Sequence, residues 1–232
     1  MFSGIARRYD LLNRLLSFGL DGRWRADATR AAFAGGANCV LDVATGTADL
    51  ALALKRHMPS AEIIGVDFAE PMLAIGRQKA ARAGLELRLE QGDGLALDFP
   101  DASFDTVTIA YGLRNFADVE KGLAEFYRVL RPGGRLVVLE FPPPPKGVFG
   151  HLFRFYFLQV LPRVGGWLSG QRGAYTYLPE SVLNFPPPAT LAKMLEHTGF
   201  HDVSFKVQTF GVSALHTGTR PITPRSGKGT AL

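Results

Sequence analysis

The chain has 232 residues, 47% of them hydrophobic, and a formal net charge of +5. That much apolar chain suits one α/β domain with a sizeable core and excludes an intrinsically disordered protein. A single cysteine, Cys39, rules out an internal disulfide, no apolar run approaches the roughly 20 residues that span a bilayer, and the N-terminus lacks the layout of a secretory signal.

In chain order, residues 5–34 predict two helices. Ile5, Tyr9, Leu12, Leu15 and Leu16 recur at helical spacing, and a second segment starts near Asp21, after the turn Phe18-Gly19. Cys39–Ala44 is a short apolar run bounded by Gly36 and Gly46 and predicts a buried strand. A helix follows from about Asp49 to His57. The alternation repeats with a strand over Glu62–Val66 and a helix over Pro71–Ala83, where Pro71 suits the first turn and Gly84 the end. Strands follow over Leu85–Gln91 and Phe104–Ala110, then a helix over Val119–Leu130, a turn at Pro132-Gly133-Gly134 and a strand over Arg135–Phe141. The proline runs at 142–145 and 186–188 bracket an insertion, 142–187. Its segment Val148–Leu161 is rich in phenylalanine and predicts a helical lid. A helix from Ala189 to about Thr198, ended by Gly199, precedes two strands, Asp202–Gln208 and Val212–Thr217. Residues 220–232 predict a disordered tail. The organisation expected is one domain over 1–219: a doubly wound, mostly parallel, seven-stranded α/β sheet of Rossmann-like type, with N-terminal helices over 1–34 and the inserted lid.

Ligands of such sheets bind beyond the carboxyl ends of the strands. The first strand ends in Asp42-Val43-Ala44-Thr45-Gly46-Thr47-Ala48-Asp49, where Gly46 lets the backbone approach a ligand. The second ends in Gly65-Val66-Asp67, about twenty residues on, where an acid can accept both hydroxyls of a ribose. That pair serves nicotinamide dinucleotides or S-adenosylmethionine. A dinucleotide site needs further glycines where the backbone meets the pyrophosphate, and here only Gly46 is present. S-adenosylmethionine has no phosphate and carries cationic groups, for which Asp42 and Asp49 are useful neighbours. The third strand runs into Gln91-Gly92-Asp93-Gly94, placing Asp93 to meet an adenine amino group, with Phe68 and Met72 as its flanks. The fourth runs into Tyr111-Gly112-Leu113-Arg114-Asn115, where Arg114 either faces substrate or forms a structural ion pair.

On FSGIARRYDLLN (Phe2–Asn13), LLSFG (Leu15–Gly19), LDVATGTAD (Leu41–Asp49), YGLRN (Tyr111–Asn115), RVLRPGGRLVVLEF (Arg128–Phe141), VLPRVG (Val160–Gly165), YTYLPES (Tyr175–Ser181) and GVSALH (Gly211–His216), the chain resembles the ubiquinone/menaquinone biosynthesis C-methyltransferase family. Ser3 and Ala48 depart from the family pattern, and the four prolines after Phe141 are more than it leads one to expect. The resemblance implies a class I S-adenosylmethionine methyltransferase. By it Thr47, Asp67, Asp93 and Gly94 fall on the cofactor, joining Asp42 and Gly46 from the strand-end reading, and Arg114 and Asn115 fall beside the quinol, with Tyr9 as a further catalytic candidate. The implied substrate is a polyprenylated demethylquinol, demethylmenaquinol rather than the ubiquinone-pathway quinol that shares these motifs. Loss of the quinol hydroxyl proton would push charge onto a ring carbon that attacks the sulfonium methyl. Arg114 would steady the phenolate, and Tyr9, Asp10, Tyr111, Asn115 or His151 would relay the proton.

No Cys/His cluster suggests a metal. The basic charge reads as a solvated surface, with no nucleic-acid partner expected, because no nucleic-acid module accompanies it. A cytoplasmic protein is expected, with peripheral contact at the inner face of the cell membrane and homodimerisation left open. The competing readings are a nicotinamide oxidoreductase, a non-catalytic scaffold and a nucleic-acid methyltransferase.

Overall fold

The computed structural model describes residues 17, 19–144, 147, 150, 159 and 180–222. The first of the two expected N-terminal helices, the lid helix and the tail beyond residue 222 lie outside them.

The elements are α1 (Asp21–Phe33), β1 (Cys39–Val43), α2 (Asp49–His57), β2 (Glu62–Asp67), α3 (Glu70–Arg82), β3 (Arg88–Gln91), β4 (Phe104–Ala110), α4 (Val119–Val129), β5 (Leu130–Glu140), α5 (Pro188–Thr198), β6 (His201–Gln208) and β7 (Ser213–Thr219). They form one seven-stranded sheet in the order β3-β2-β1-β4-β5-β7-β6. The β1–β2, β1–β4, β2–β3 and β4–β5 pairs are parallel, whereas β7 runs antiparallel to both β5 and β6. The fold is thus the doubly wound, mostly parallel sheet that the alternation predicts.

Central strands buried on both faces read as continuous apolar runs, and β1 is buried from Val40 to Val43. Its alternation divides the core. Val40 joins Trp24, Ala28, Leu50 and Leu73 on the side covered by α1, α2 and α3. Leu41 and Val43 join Leu123, Phe126, Leu191 and Leu195 on the side covered by α4 and α5. In α4, Asp118 caps the N-terminus by accepting from Lys121 N at 2.9 Å, and Leu123, Phe126 and Val129 recur at i, i+3, i+6 with no exposure. Burial of each stabilises the helix by about 1.5–3 kcal/mol. Val40 and Asp42 share a face of β1, so the carboxylate of Asp42 is directed to the α1–α2 side.

Several boundaries differ from the sequence reading by a residue or two, and three departures go further. β3 begins at Arg88 rather than Leu85, because Leu85 N still closes the end of α3 on Ala80 O. β5 begins at Leu130 rather than Arg135. The expected turn Pro132-Gly133-Gly134 is absorbed as a register shift between the Phe104–Leu130 and Thr106–Arg135 pairs. Gly134 is required there, since a Cβ would lie 2.8 Å from Arg131 O and 3.0 Å from Asp105 O. Arg220, expected in the tail, is fastened to the body. Its backbone N–H donates to Gly134 O, its carbonyl accepts from Gly133 N, and its guanidinium donates to the carbonyls of Tyr127, Arg128 and Leu130.

Candidate active site

β1 and β4 are neighbours although two helices and two strands separate them in sequence, so the crevice of a doubly wound sheet opens between their carboxyl ends. A groove of about 470 Å³ lies there, lined by Val43, Ala44 and Gly46 after β1, Asp67 to Ala69 after β2, Gly92 to Leu95 after β3, and Tyr111, Gly112 and Asn115 to Ala117 after β4, with Met72 from α3. The volume is that of a small-molecule site.

The turn after β1 has Ala44, Gly46 and Ala48 at φ 51°, 57° and 64°. This left-handed backbone suits glycine and costs the two alanines about 1–2 kcal/mol each. Ala48, where the family pattern has glycine, holds the conformation with its methyl fully buried. The Cβ that Gly76 lacks would sit 3.0 Å from that methyl carbon. Asp67 locks the turn to the next strand. Its Oδ2 accepts from Gly46 N at 2.8 Å and its Oδ1 from Ala69 N at 2.8 Å. Burial raises its pKa, and the two N–H donors work against that rise. Asp93 accepts from Leu95 N at 2.9 Å through Oδ1 and reaches the groove beside Gly92 and Gly94. Phe68 is 77% exposed at the groove's mouth, and Met72 is buried in its wall.

Asp42 and Thr47 do not line this groove. They line a smaller neighbouring cavity with Arg25, Thr45, Asp49 and Tyr111. Asp42 accepts from Thr45 Oγ1 at 2.6 Å and Thr108 Oγ1 at 2.7 Å. Burial outweighs both donors and pushes its pKa up to about 6. The Thr47 hydroxyl accepts from Lys79 Nζ at 2.8 Å, and Lys79 also pairs with Asp49 at 2.7 Å. Their hydrogen bonds brace the turn, and their cavity shares Ala44, Gly46 and Tyr111 with the groove.

Arg114 needs a larger correction. Its side chain is 4% exposed and paired at 2.6 Å with Glu140, which is 1% exposed. It does not line the groove. It donates to Tyr111 O, while its backbone N–H and that of Phe141 donate to Glu140. The structural ion pair, one of the two sequence readings, is what the fold contains. Asn115, the next residue, does face the groove. The Tyr111 ring stacks on Phe141 at 4.3 Å, and burial raises its phenol pKa beyond the range of a proton acceptor. Tyr9, Asp10 and His151 lie outside the described residues.

The structure thus brings together Gly46, Asp67, Asp93, Gly94 and Asn115. Sequence reasoning missed Arg25, Lys79 and Glu140. Glu140 left a signal, a lone acid at the end of the apolar run Leu136–Phe141, because a buried charge demands a partner. Nothing local in the sequence ties Arg25 or Lys79 to a turn more than twenty residues away.

The chemistry of the groove narrows the ligand. Among the described residues its lining holds two carboxylates, Asp67 and Asp93, and no lysine, arginine or histidine. A pyrophosphate would meet uncompensated like charge there, whereas a ribose and adenine with a cationic centre meet acceptors. Among the described residues no cluster of His, Cys, Asp and Glu could hold a metal ion.

Comparison with known proteins agrees. The model of the ubiE/COQ5 methyltransferase family matches residues 1–220. The demethylmenaquinone methyltransferase of Thermus thermophilus is 61% identical over 221 residues, covering 95% of this chain and all of that one. That of Deinococcus radiodurans is 56% identical over 220 residues, covering 95% and 91%. Among solved structures, an S-adenosylmethionine-dependent methyltransferase of Thermotoga maritima superposes with a TM-score of 0.67 at 19% identity over 94% of this chain and 97% of that one, which shows the shared fold.

Proposed function

This chain belongs to the ubiE/COQ5 methyltransferase family, and from that premise we propose that it methylates a ring carbon of demethylmenaquinol, using S-adenosylmethionine, in menaquinone biosynthesis. The observation that carries the reading is the groove at the β1–β4 crevice, whose lining among the described residues is acidic and holds no cation. Each oxygen of Asp67 already accepts one backbone N–H and keeps a lone pair for a ribose hydroxyl. Asp93 accepts the adenine amino group beside Gly94, and Phe68 and Met72 enclose the ring. Gly46 admits the backbone against the ligand, while Asp42 and Thr47 line the adjoining cavity, which shares Gly46 with the groove. S-adenosylmethionine supplies the electrophilic methyl group when bound.

Asn115 reaches the groove from the opposite wall and orients the quinol. Holding the ring carbon in line with the methyl removes most of the entropic cost of the encounter. The Tyr111 phenol stays protonated, so the quinol proton leaves by another route. Arg114 serves through Glu140, fixing the loop that presents Asn115. The polyprenyl tail makes the substrate a lipid.

Incubating the protein with demethylmenaquinol and S-adenosylmethionine, followed by mass spectrometry of the quinones, should show a gain of one methyl on the naphthoquinol ring. Replacing Asp67 by Asn should weaken S-adenosylhomocysteine binding at least tenfold. Absence of methylated quinone, with S-adenosylhomocysteine bound normally, would overturn the substrate assignment.

A further inference from the structure

The groove does not suit every part of the cofactor proposed for it. S-adenosylmethionine ends in an α-amino acid, with an ammonium and a carboxylate on one carbon, joined by a short chain to the sulfonium. Among the described residues the groove lining offers Asp67 and Asp93 and no cation, so the α-carboxylate would meet like charge there. That end of the molecule needs a different wall.

The smaller cavity supplies one. It opens beside the groove, shares Ala44, Gly46 and Tyr111 with it, and measures about 30 Å³. A water-sized group needs roughly 10–15 Å³ of such space. The cavity therefore suits a short polar head and is too small for a purine or a quinol ring. Its lining carries both signs of charge: Asp42 and Asp49 are acids, and Arg25 is the one cation among the described residues that line it. A zwitterion matches that set, with its ammonium towards the acids and its carboxylate on the arginine.

α1 holds Arg25 in place. Trp24, the preceding residue, is buried in the core and fixes this turn of the helix on the sheet. Asp21, one turn earlier, pairs with the Arg25 side chain and also accepts from Ser17 Oγ at 2.9 Å. The guanidinium lies over the Tyr111 ring, 5.8 Å from its centre, and the side chain is 11% exposed. Its Nη2 is 3.6 Å from Asp49, too long for a hydrogen bond, and Asp49 is engaged by Lys79 at 2.7 Å. Among the described residues Asp21 is thus the one side chain that accepts a hydrogen bond from this guanidinium, which has further N–H donors to offer. An arginine held at one edge, mostly shielded from water and bordering a polar cavity, is suited to grip a carboxylate with a fork of two bonds.

We propose that this cavity receives the amino-acid end of S-adenosylmethionine and that Arg25 binds its α-carboxylate. The proposal rests on the cofactor reading given above. It makes Arg25 a specificity residue, which selects ligands that keep the carboxylate over those that have lost it.

The test is isothermal titration calorimetry of the whole protein with S-adenosylhomocysteine and with its decarboxylated analogue, in which hydrogen replaces the carboxylate and the amine is kept. Wild type should bind S-adenosylhomocysteine at least about tenfold more tightly than the analogue. R25Q should lose about that factor for S-adenosylhomocysteine and bind the analogue within about twofold of wild type, which also shows that it folds. R25Q/D21N, which leaves no acid without its partner, should repeat this result. R25K keeps the charge without the fork and should fall between. Equal affinities in wild type overturn the proposal, and that comparison needs no variant. So do glutamine variants that keep the full preference, since the carboxylate then binds elsewhere, or that lose both ligands by the same factor, since the arginine then serves only the fold. Wild type that binds neither ligand sinks the cofactor reading itself, whereas wild type that binds both alike sinks only the role of Arg25.

Discussion

Asp42 gives the clearest case of one side chain setting a property of the protein. It is 1% exposed, and two hydroxyl donors leave its pKa pushed up to about 6 by burial. The unfolded chain loses this proton near pH 4, while the folded protein keeps it to about pH 6. Folding therefore takes up a proton in that window, and stability falls as pH rises from about 4 to 6, by up to about 3 kcal/mol. Urea unfolding across pH 4–8 should show this decline. Asp42→Asn should flatten it, because an amide does not titrate. A slope unchanged in the variant would assign the decline to another group. The sequence showed that Asp42 ends β1, but not which side of the sheet receives its carboxylate. The partners that decide this, Thr108 on β4 and Arg25 on α1, come from distant parts of the chain. Asp67 was easier to read because its task needs only backbone N–H groups and its place at the tip of β2.

At the scale of elements, the segment after β4 is held by its tie to β5. Glu140 accepts from the Arg114 side chain, Arg114 N and Phe141 N, so one buried carboxylate joins the 3-10 turn Leu113–Asn115 to the end of the neighbouring strand. Arg114→Ala would leave that carboxylate buried without its cation and should cost about 3–5 kcal/mol of stability. Thermal unfolding should record the loss alongside the fall in turnover. Arg114→Met combined with Glu140→Leu should recover much of the stability, since a buried pair is often replaceable by apolar groups. Turnover should stay low if the pair's task is to place Asn115. An Arg114→Ala protein as stable as the parent would refute the structural role of the pair. The motif located this loop correctly. Its inner partner was hidden because the ion pair spans 26 residues and depends on β4 and β5 being adjacent.

For the whole molecule, the alternation of strands and helices made the parallel sheet and its ligand-binding end legible. The short turn at Phe210-Gly211 between the last two strands fits their antiparallel pairing, but nothing in the pattern revealed that β7 would pair antiparallel with β5. The site exists only when four strand tips meet, so a ligand that touches all of them should stabilise the entire domain. The tips of β1, β2, β3 and β4 contribute Gly46, Asp67, Asp93 and Asn115 to one groove. S-adenosylhomocysteine at about a hundred times its dissociation constant should add about 2.7 kcal/mol. For a domain of this size that is a rise in melting temperature of roughly 5–10 °C. NADH at the same concentration should give no rise, because its pyrophosphate would face Asp67 and Asp93 with no cation among the described residues of the lining. Asp67→Asn should shrink the S-adenosylhomocysteine shift by at least 1.4 kcal/mol, the equivalent of about tenfold in affinity. Equal shifts with the two ligands would mean that the carboxylates do not select, and the electrostatic account of the groove would fail.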